Sequence, residues 1–69
     1  MKIILVSHSA TQSVITAKLP ETDTLAETYE IHLFNDNGHT ELHSRSFHFE
    51  EALTYHRYLC EKCNIRVNV

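Results

Sequence analysis

The chain has 69 residues, a net charge of −3 and 42% hydrophobic residues, with one glycine and one proline. This composition argues against a disordered chain, and the length predicts a single domain over residues 1–69. No apolar run approaches the roughly 20 residues of a membrane span. We therefore expect a cytoplasmic protein with no membrane partner, and its two cysteines fit a reducing compartment.

The N-terminal third contains one clear strand and one ambiguous segment. KIILVSH (Lys2–His8) predicts a strand that is buried on both faces. SVITAKL (Ser13–Leu19) fits both a strand period and a helix period. Its consecutive β-branched residues, Val14–Thr16, favour a strand. A helix over Ser9–Leu19 stays open as the alternative.

Two further strands are predicted around a tight turn. The segments Glu27–Phe34 and His39–Phe47 flank Asn37-Gly38, which is the strongest short signal for a type I′ hairpin turn. The competing arrangement is a type I turn with a glycine bulge, whose loop is Asp36–Gly38.

The two turns give different cross-strand pairs. A two-residue loop places Leu33 opposite Leu42 and His32 opposite His43, and it keeps most apolar residues on one face. The bulged turn mixes apolar and polar residues on both faces, so burial favours the two-residue loop.

The clearest element is a helix over Phe49–Cys63. Its apolar stripe has continuous helical spacing and consists of Phe49, Ala52, Leu53, His56, Leu59, Cys60 and Cys63. Glu50 and Glu51 in the first turn and Lys62 in the last complement the helix dipole.

After the helix, Asn64 suits a left-handed cap, and Ile65–Val69 alternates as a short final strand. The predicted class is α+β: a small antiparallel sheet in the order β-β-β-β-α-β with one helix packed on a face. If residues 9–19 are helical, the order becomes the ferredoxin-like βαββαβ.

Charge is distributed unevenly along the chain. Residues 21–51 hold eight of the nine acidic side chains and only Arg45 as a cation, a net of −7, while the rest carries +4. An acidic centre argues against direct nucleic-acid binding, which needs clustered cations. It suits docking on a protein with a basic surface.

We predict a partner-binding surface on the hairpin and the start of the helix. Its carboxylates are Glu27, Glu30, Asp36, Glu41, Glu50 and Glu51. Tyr55 and Tyr58 flank the helix stripe and are candidate anchors, since tyrosine is enriched at interface hot spots. Five of the six histidines lie between His32 and His56, so we expect acidic attraction to weaken as they gain protons near pH 6.5.

Two sets of residues have the chemistry of metal ligands. His32 and His43, directly opposite in the preferred register, are a weak candidate pair for zinc or nickel. His56, Cys60 and Cys63 share a helix stripe, but their apolar neighbours favour core packing. We therefore predict no metal and no cofactor.

No catalytic motif is present. Ser7, His8 and Cys60 are possible reactive groups, but none lies in a recognisable nucleophile turn, and one glycine cannot build a phosphate loop. We predict a protein that is not an enzyme.

The hairpin-to-helix run YEIHLFNDNGHTELHSRSFHFEEALTYHRYL (Tyr29–Leu59) resembles, in layout and charge, small phage and prophage accessory proteins such as anti-CRISPR inhibitors. The resemblance implies a small inhibitor in the host cytoplasm that presents carboxylates to a basic nucleic-acid channel. Two alternatives stay open: a small metal-binding module, and a homodimer or other homo-oligomer in which an edge such as Ile65–Val69 pairs across a two-fold.

Overall fold

Four strands and one helix make up the part of the chain that the structure, a computed structural model, describes, namely residues 2–21 and 27–67. The elements are β1 (Lys2–His8), β2 (Gln12–Leu19), β3 (Thr28–Asn35), β4 (Thr40–Ser46) and α1 (Phe49–Lys62). The strands form one antiparallel sheet in the order β1-β2-β3-β4, and α1 packs over β2, β3 and β4. Within the described ranges, no helix is long and apolar enough to cross a membrane.

The ambiguous segment is a strand. Gln12–Leu19 pairs along its whole length with β3, so the structure has a strand where the ferredoxin-like alternative required a helix. The consecutive β-branched residues decide this, because their branched side chains pack well on a pleated sheet.

β1 differs from its prediction because it is an edge strand. It pairs with β2 on one side only, and a bulge at Ile4 interrupts that pairing. Ile3 is 56% exposed. The expectation of burial on both faces is therefore wrong: consecutive antiparallel strands leave the first strand at the rim of the sheet, where Ser7 is the one fully buried residue of β1.

The hairpin turn is the bulged form, and the predicted two-residue loop is wrong. The Gly38 N–H donates to the Asn35 carbonyl and the Asn35 N–H to the His39 carbonyl, each at 3.1 Å. Gly38 has φ +85°, but Asn37 does not have the positive φ that a type I′ turn requires. The side-chain oxygens of Asn35 and Asn37 both accept the His39 N–H, which stabilises the wider loop.

The hairpin register changes part-way along the strands. Glu30 faces Arg45 as predicted, but nearer the turn His32 faces Leu42 instead of His43. A bulge that includes His43 absorbs the extra residue. Because of the bulge, Ser44 and Ser46 stay on the helix side of the sheet although the turn is one residue longer. The predicted His32–His43 pair therefore does not form.

The core lies between α1 and one face of the sheet. Its buried hydrophobic members are Val14, Tyr29, Ile31, Ala52, Leu59, Cys60 and Ile65. The ring of Phe49 lies 5.9 Å from that of Tyr29 and holds the first turn of the helix against β3.

The helix ends at a left-handed residue, as predicted. Asn64 has φ 58°, and its N–H donates to Glu61, while the Ile65 N–H reaches back to the Cys60 carbonyl at 2.8 Å. This cap turns the chain so that Ile65 packs into the core. Residues 65–67 are consequently not a strand, which corrects that part of the predicted Ile65–Val69 strand; residues 68–69 lie outside the described residues.

Gly38→Ala should lower the free energy of unfolding by about 1 kcal/mol, because alanine disfavours a positive φ. An added Cβ would meet no heavy atom within 4 Å, so the loss is conformational and not steric. Urea denaturation measures it. Asn64→Gly, at the other residue with a left-handed backbone, should raise the free energy of unfolding by a few tenths of a kcal/mol. Equal stability of Gly38→Ala and wild type would contradict the bulged turn.

Candidate functional site

A stripe of polar and aromatic residues runs along one side of α1. Glu51, Tyr55, Tyr58 and Lys62 are spaced so that they fall on one side of the helix. Tyr55 is half-buried against the core, whereas Tyr58 is 56% exposed. In this stripe, the Tyr55 side chain therefore packs against the core, and the Tyr58 ring is accessible to a partner.

Two contacts hold this stripe against the edge strand β4. The Ser46 hydroxyl donates to the Glu51 carboxylate at 2.8 Å and accepts the His48 N–H at 3.1 Å. Further along, the Tyr58 ring lies 6.3 Å from the ring of His43. Because His43 belongs to the bulge, the same feature that shifts the register also supports Tyr58.

Glu41 completes this surface. It pairs with Leu33, whose side chain packs on the core, so Glu41 points to the helix side of the sheet, where it is exposed. We call Glu41, His43, Glu51, Tyr55 and Tyr58 the β4–α1 flank. The flank borders the outer edge of β4, which pairs with no other strand of the described residues.

Glu30 lies on the opposite face of the sheet and is already paired. Arg45 donates to it through Nε at 3.1 Å and through Nη2 at 2.6 Å, and His32 Nε2 lies 3.2 Å away. The Arg45 hydrogen bond is the main reason that the pKa of Glu30 is lowered. Its side chain is only 12% exposed, so Glu30 is not an open carboxylate for a partner.

Glu27 is also held within the chain. It accepts a hydrogen bond from the Tyr29 hydroxyl and forms an ion pair with Lys18 at 3.3 Å. These two interactions lower the pKa of Glu27, and the hydrogen bond from Tyr29 has the larger effect. In turn, the hydrogen bond and the charge attraction to Glu27 raise the pKa of Lys18. Part of the predicted acidic charge is therefore neutralised locally.

The remaining predicted carboxylates lie elsewhere. Asp36 is in the hairpin turn, where its N–H donates to the Thr11 carbonyl at 2.8 Å. Glu50 is exposed but points away from the Glu51 side of the helix, as adjacent helical residues do. The structure therefore brings together Glu41, Glu51, Tyr55 and Tyr58, and separates Glu27, Glu30, Asp36 and Glu50 from them.

The candidate metal ligands do not converge. His32 faces Leu42 and contacts Glu30, whereas His43 accompanies Tyr58 on the helix side. Within residues 2–21 and 27–67, no group of three or more His, Cys, Asp or Glu side chains is placed to hold a metal ion.

The most ordered polar cluster lies in the core. Nε2 of His56 is 2.8 Å from the Ser7 hydroxyl, and Nδ1 is 2.8 Å from the Thr16 hydroxyl. All three side chains are at most 1% exposed. A neutral imidazole has one donor and one acceptor nitrogen, so one hydroxyl accepts and the other donates. Burial lowers the pKa of His56, and both ring nitrogens contact neutral hydroxyls, which do not stabilise a charged ring as a carboxylate would.

Cys60 borders this cluster and is fully buried, as the apolar stripe predicted. Burial raises the pKa of its thiol, although a hydrogen bond with Ser7 acts in the opposite direction. A buried thiol with a raised pKa is a poor nucleophile.

The sequence reasoning missed that Ser7 and Thr16 are partners of His56. The available signal was a histidine on the buried stripe of α1 together with hydroxyl residues at inward positions of two strands, since buried polar groups require partners.

Comparison of the chain with protein-family models, with curated proteins and with solved structures gives no match.

His56 should make stability depend on pH. The pKa of His56 is lower in the folded state than in the unfolded state. As pH falls below about 6.5, the unfolded state therefore binds a proton that the folded state does not, and the free energy of unfolding decreases. Wild type should lose up to about 1.4 kcal/mol per pH unit in this window from this residue.

Denaturant unfolding between about pH 7 and pH 5 measures this slope. His56→Gln should flatten it, whereas the control His8→Gln, at an exposed position, should keep the wild-type slope. Equal slopes in His56→Gln and wild type would show that the ring is not the group responsible.

Proposed function

We propose that this chain is a non-enzymatic binding protein that docks through the β4–α1 flank on a protein with a basic surface, of the kind that nucleic-acid-handling proteins present. The observation that carries the proposal is Tyr58, which is 56% exposed and whose ring lies 6.3 Å from the ring of His43 on β4. An exposed and positioned tyrosine is an efficient anchor, because little side-chain freedom is lost on binding.

The chemistry of the flank favours arginine in the partner. Glu41 and Glu51 offer carboxylates on either side of Tyr58, one from β4 and one from α1. A guanidinium group can pair with a carboxylate and stack on a tyrosine ring at the same time. An ammonium group from lysine offers only the point charge.

The positions of the reactive side chains support binding over catalysis. Ser7, His56 and Cys60 are the groups with nucleophile or base chemistry that lie together, and all are fully buried. Their hydrogen bonds are satisfied within the core, which is the behaviour of structural groups. A substrate would have to enter between α1 and the sheet to reach them.

An oligoarginine peptide is a direct probe of this surface. At low salt we expect it to shift the amide resonances of the β4–α1 flank and to bind more tightly than oligolysine of equal length. Glu41→Lys and Tyr58→Ala should each raise the Kd about tenfold, equivalent to about 1.4 kcal/mol.

Glu50→Lys is the matched control, because it reverses the same charge at an exposed helix position that points away from the Glu51 side. It should change the Kd less than twofold. If Glu50→Lys weakens peptide binding as much as Glu41→Lys does, only net charge matters and the proposed site is wrong.

A further inference from the structure

The face of the sheet away from α1 is not covered by the helix and carries an apolar patch among polar residues. Val6, Ile15, His32 and Leu42 form a row across all four strands, since each faces the next in the register. We call the patch formed by five apolar residues on this side of the sheet the open face: Ile3, Val6, Ile15, Phe34 and Leu42. None belongs to the buried cluster beneath α1 or packs against it.

These side chains are accessible. Ile3 is 56% exposed and Leu42 is 45% exposed, while Val6, Ile15 and Phe34 are half-buried. Antiparallel sheets often leave one face in water, but that face then carries alternating polar residues. Here isoleucine, valine, phenylalanine and leucine lie among polar residues such as Ser13, His32 and Thr40, and this exposed apolar patch favours a covered surface.

The charge on the open face identifies what can cover it. Its ion pair, Glu30 with Arg45 at 2.6 Å, cancels in charge, and Nε2 of His32 lies 3.2 Å from the same Glu30 carboxylate. A face without net charge does not select a basic or acidic partner, and it does not repel an identical face. The β4–α1 flank differs here, because Glu41 and Glu51 of two copies would repel each other.

We infer that the open face packs against the open face of a second copy of this chain. Two sheets pack face to face about 10 Å apart, and an isologous two-fold brings the same apolar row of each copy together. The interface is separate from the β4–α1 flank, so each copy of the dimer keeps a flank free for its partner.

The size of the face is adequate for a dimer of modest affinity. Four strands of seven or eight residues give a projected area of about 500 Å². This is smaller than the roughly 800 Å² per partner of a standard interface, which corresponds to a weak dimer. The dimer should therefore depend on chain concentration.

Sedimentation velocity over a range of chain concentrations tests the inference. The mass of wild type should rise from 8.0 kDa towards twice that value. Ile3→Lys with Leu42→Lys should raise the dissociation constant at least tenfold, because each copy would bury two cations. Thr54→Lys, at an exposed position of α1 on the other side of the sheet, is the control and should dimerise like wild type.

A wild type that stays at monomer mass throughout would overturn the inference, and so would equal loss of dimer in Thr54→Lys. Concentration-dependent chemical shifts of wild type give a second test that needs no variant. Shifts confined to Ile3, Val6, Ile15, Phe34 and Leu42 support the open face, whereas shifts confined to α1 contradict it.

Discussion

The bridge from His56 to Ser7 and Thr16 is the interaction on which the arrangement of the layers depends. One ring on α1 contacts hydroxyls on β1 and β2, so the helix is joined to two neighbouring strands by directional bonds. Hydrophobic contacts alone would allow α1 to slide, whereas two 2.8 Å hydrogen bonds in the core fix its rotation and height. A charged or missing ring would leave buried polar groups without compensation.

The fixed rotation of α1 determines which surfaces the protein presents. With His56 inward, Glu51, Tyr55 and Tyr58 necessarily lie over β4, and Glu50 points elsewhere. The same packing uses only one face of the sheet, which leaves Ile15 and Leu42 uncovered on the other. The acidic span of the sequence is consequently divided in space: some of its carboxylates are neutralised by Lys18 or Arg45, and others remain open on the flank.

Local patterns predicted the elements well and the connections between them poorly. The period of α1, the left-handed Asn64 and the strand preference of Val14–Thr16 each depend on short-range physics and were confirmed. The hairpin turn depended on side-chain bonds from Asn35 and Asn37 to one amide, which no period reveals. The alternation within residues 65–67 places Ile65 and Val67 against the core and does not form strand pairs. The separation of the acidic residues in space depends on the strand register, which local patterns do not give.

The state of the His56 ring tests the account most directly. Nitrogen-resolved spectra of the imidazole at about pH 5.5, below the usual histidine range, distinguish neutral from charged rings. We predict a neutral ring with one protonated nitrogen whose hydrogen exchanges slowly, because burial lowers the pKa and both nitrogens are bonded. A doubly protonated ring in the folded protein, with fast exchange at both nitrogens, would contradict the bridge between α1 and the sheet.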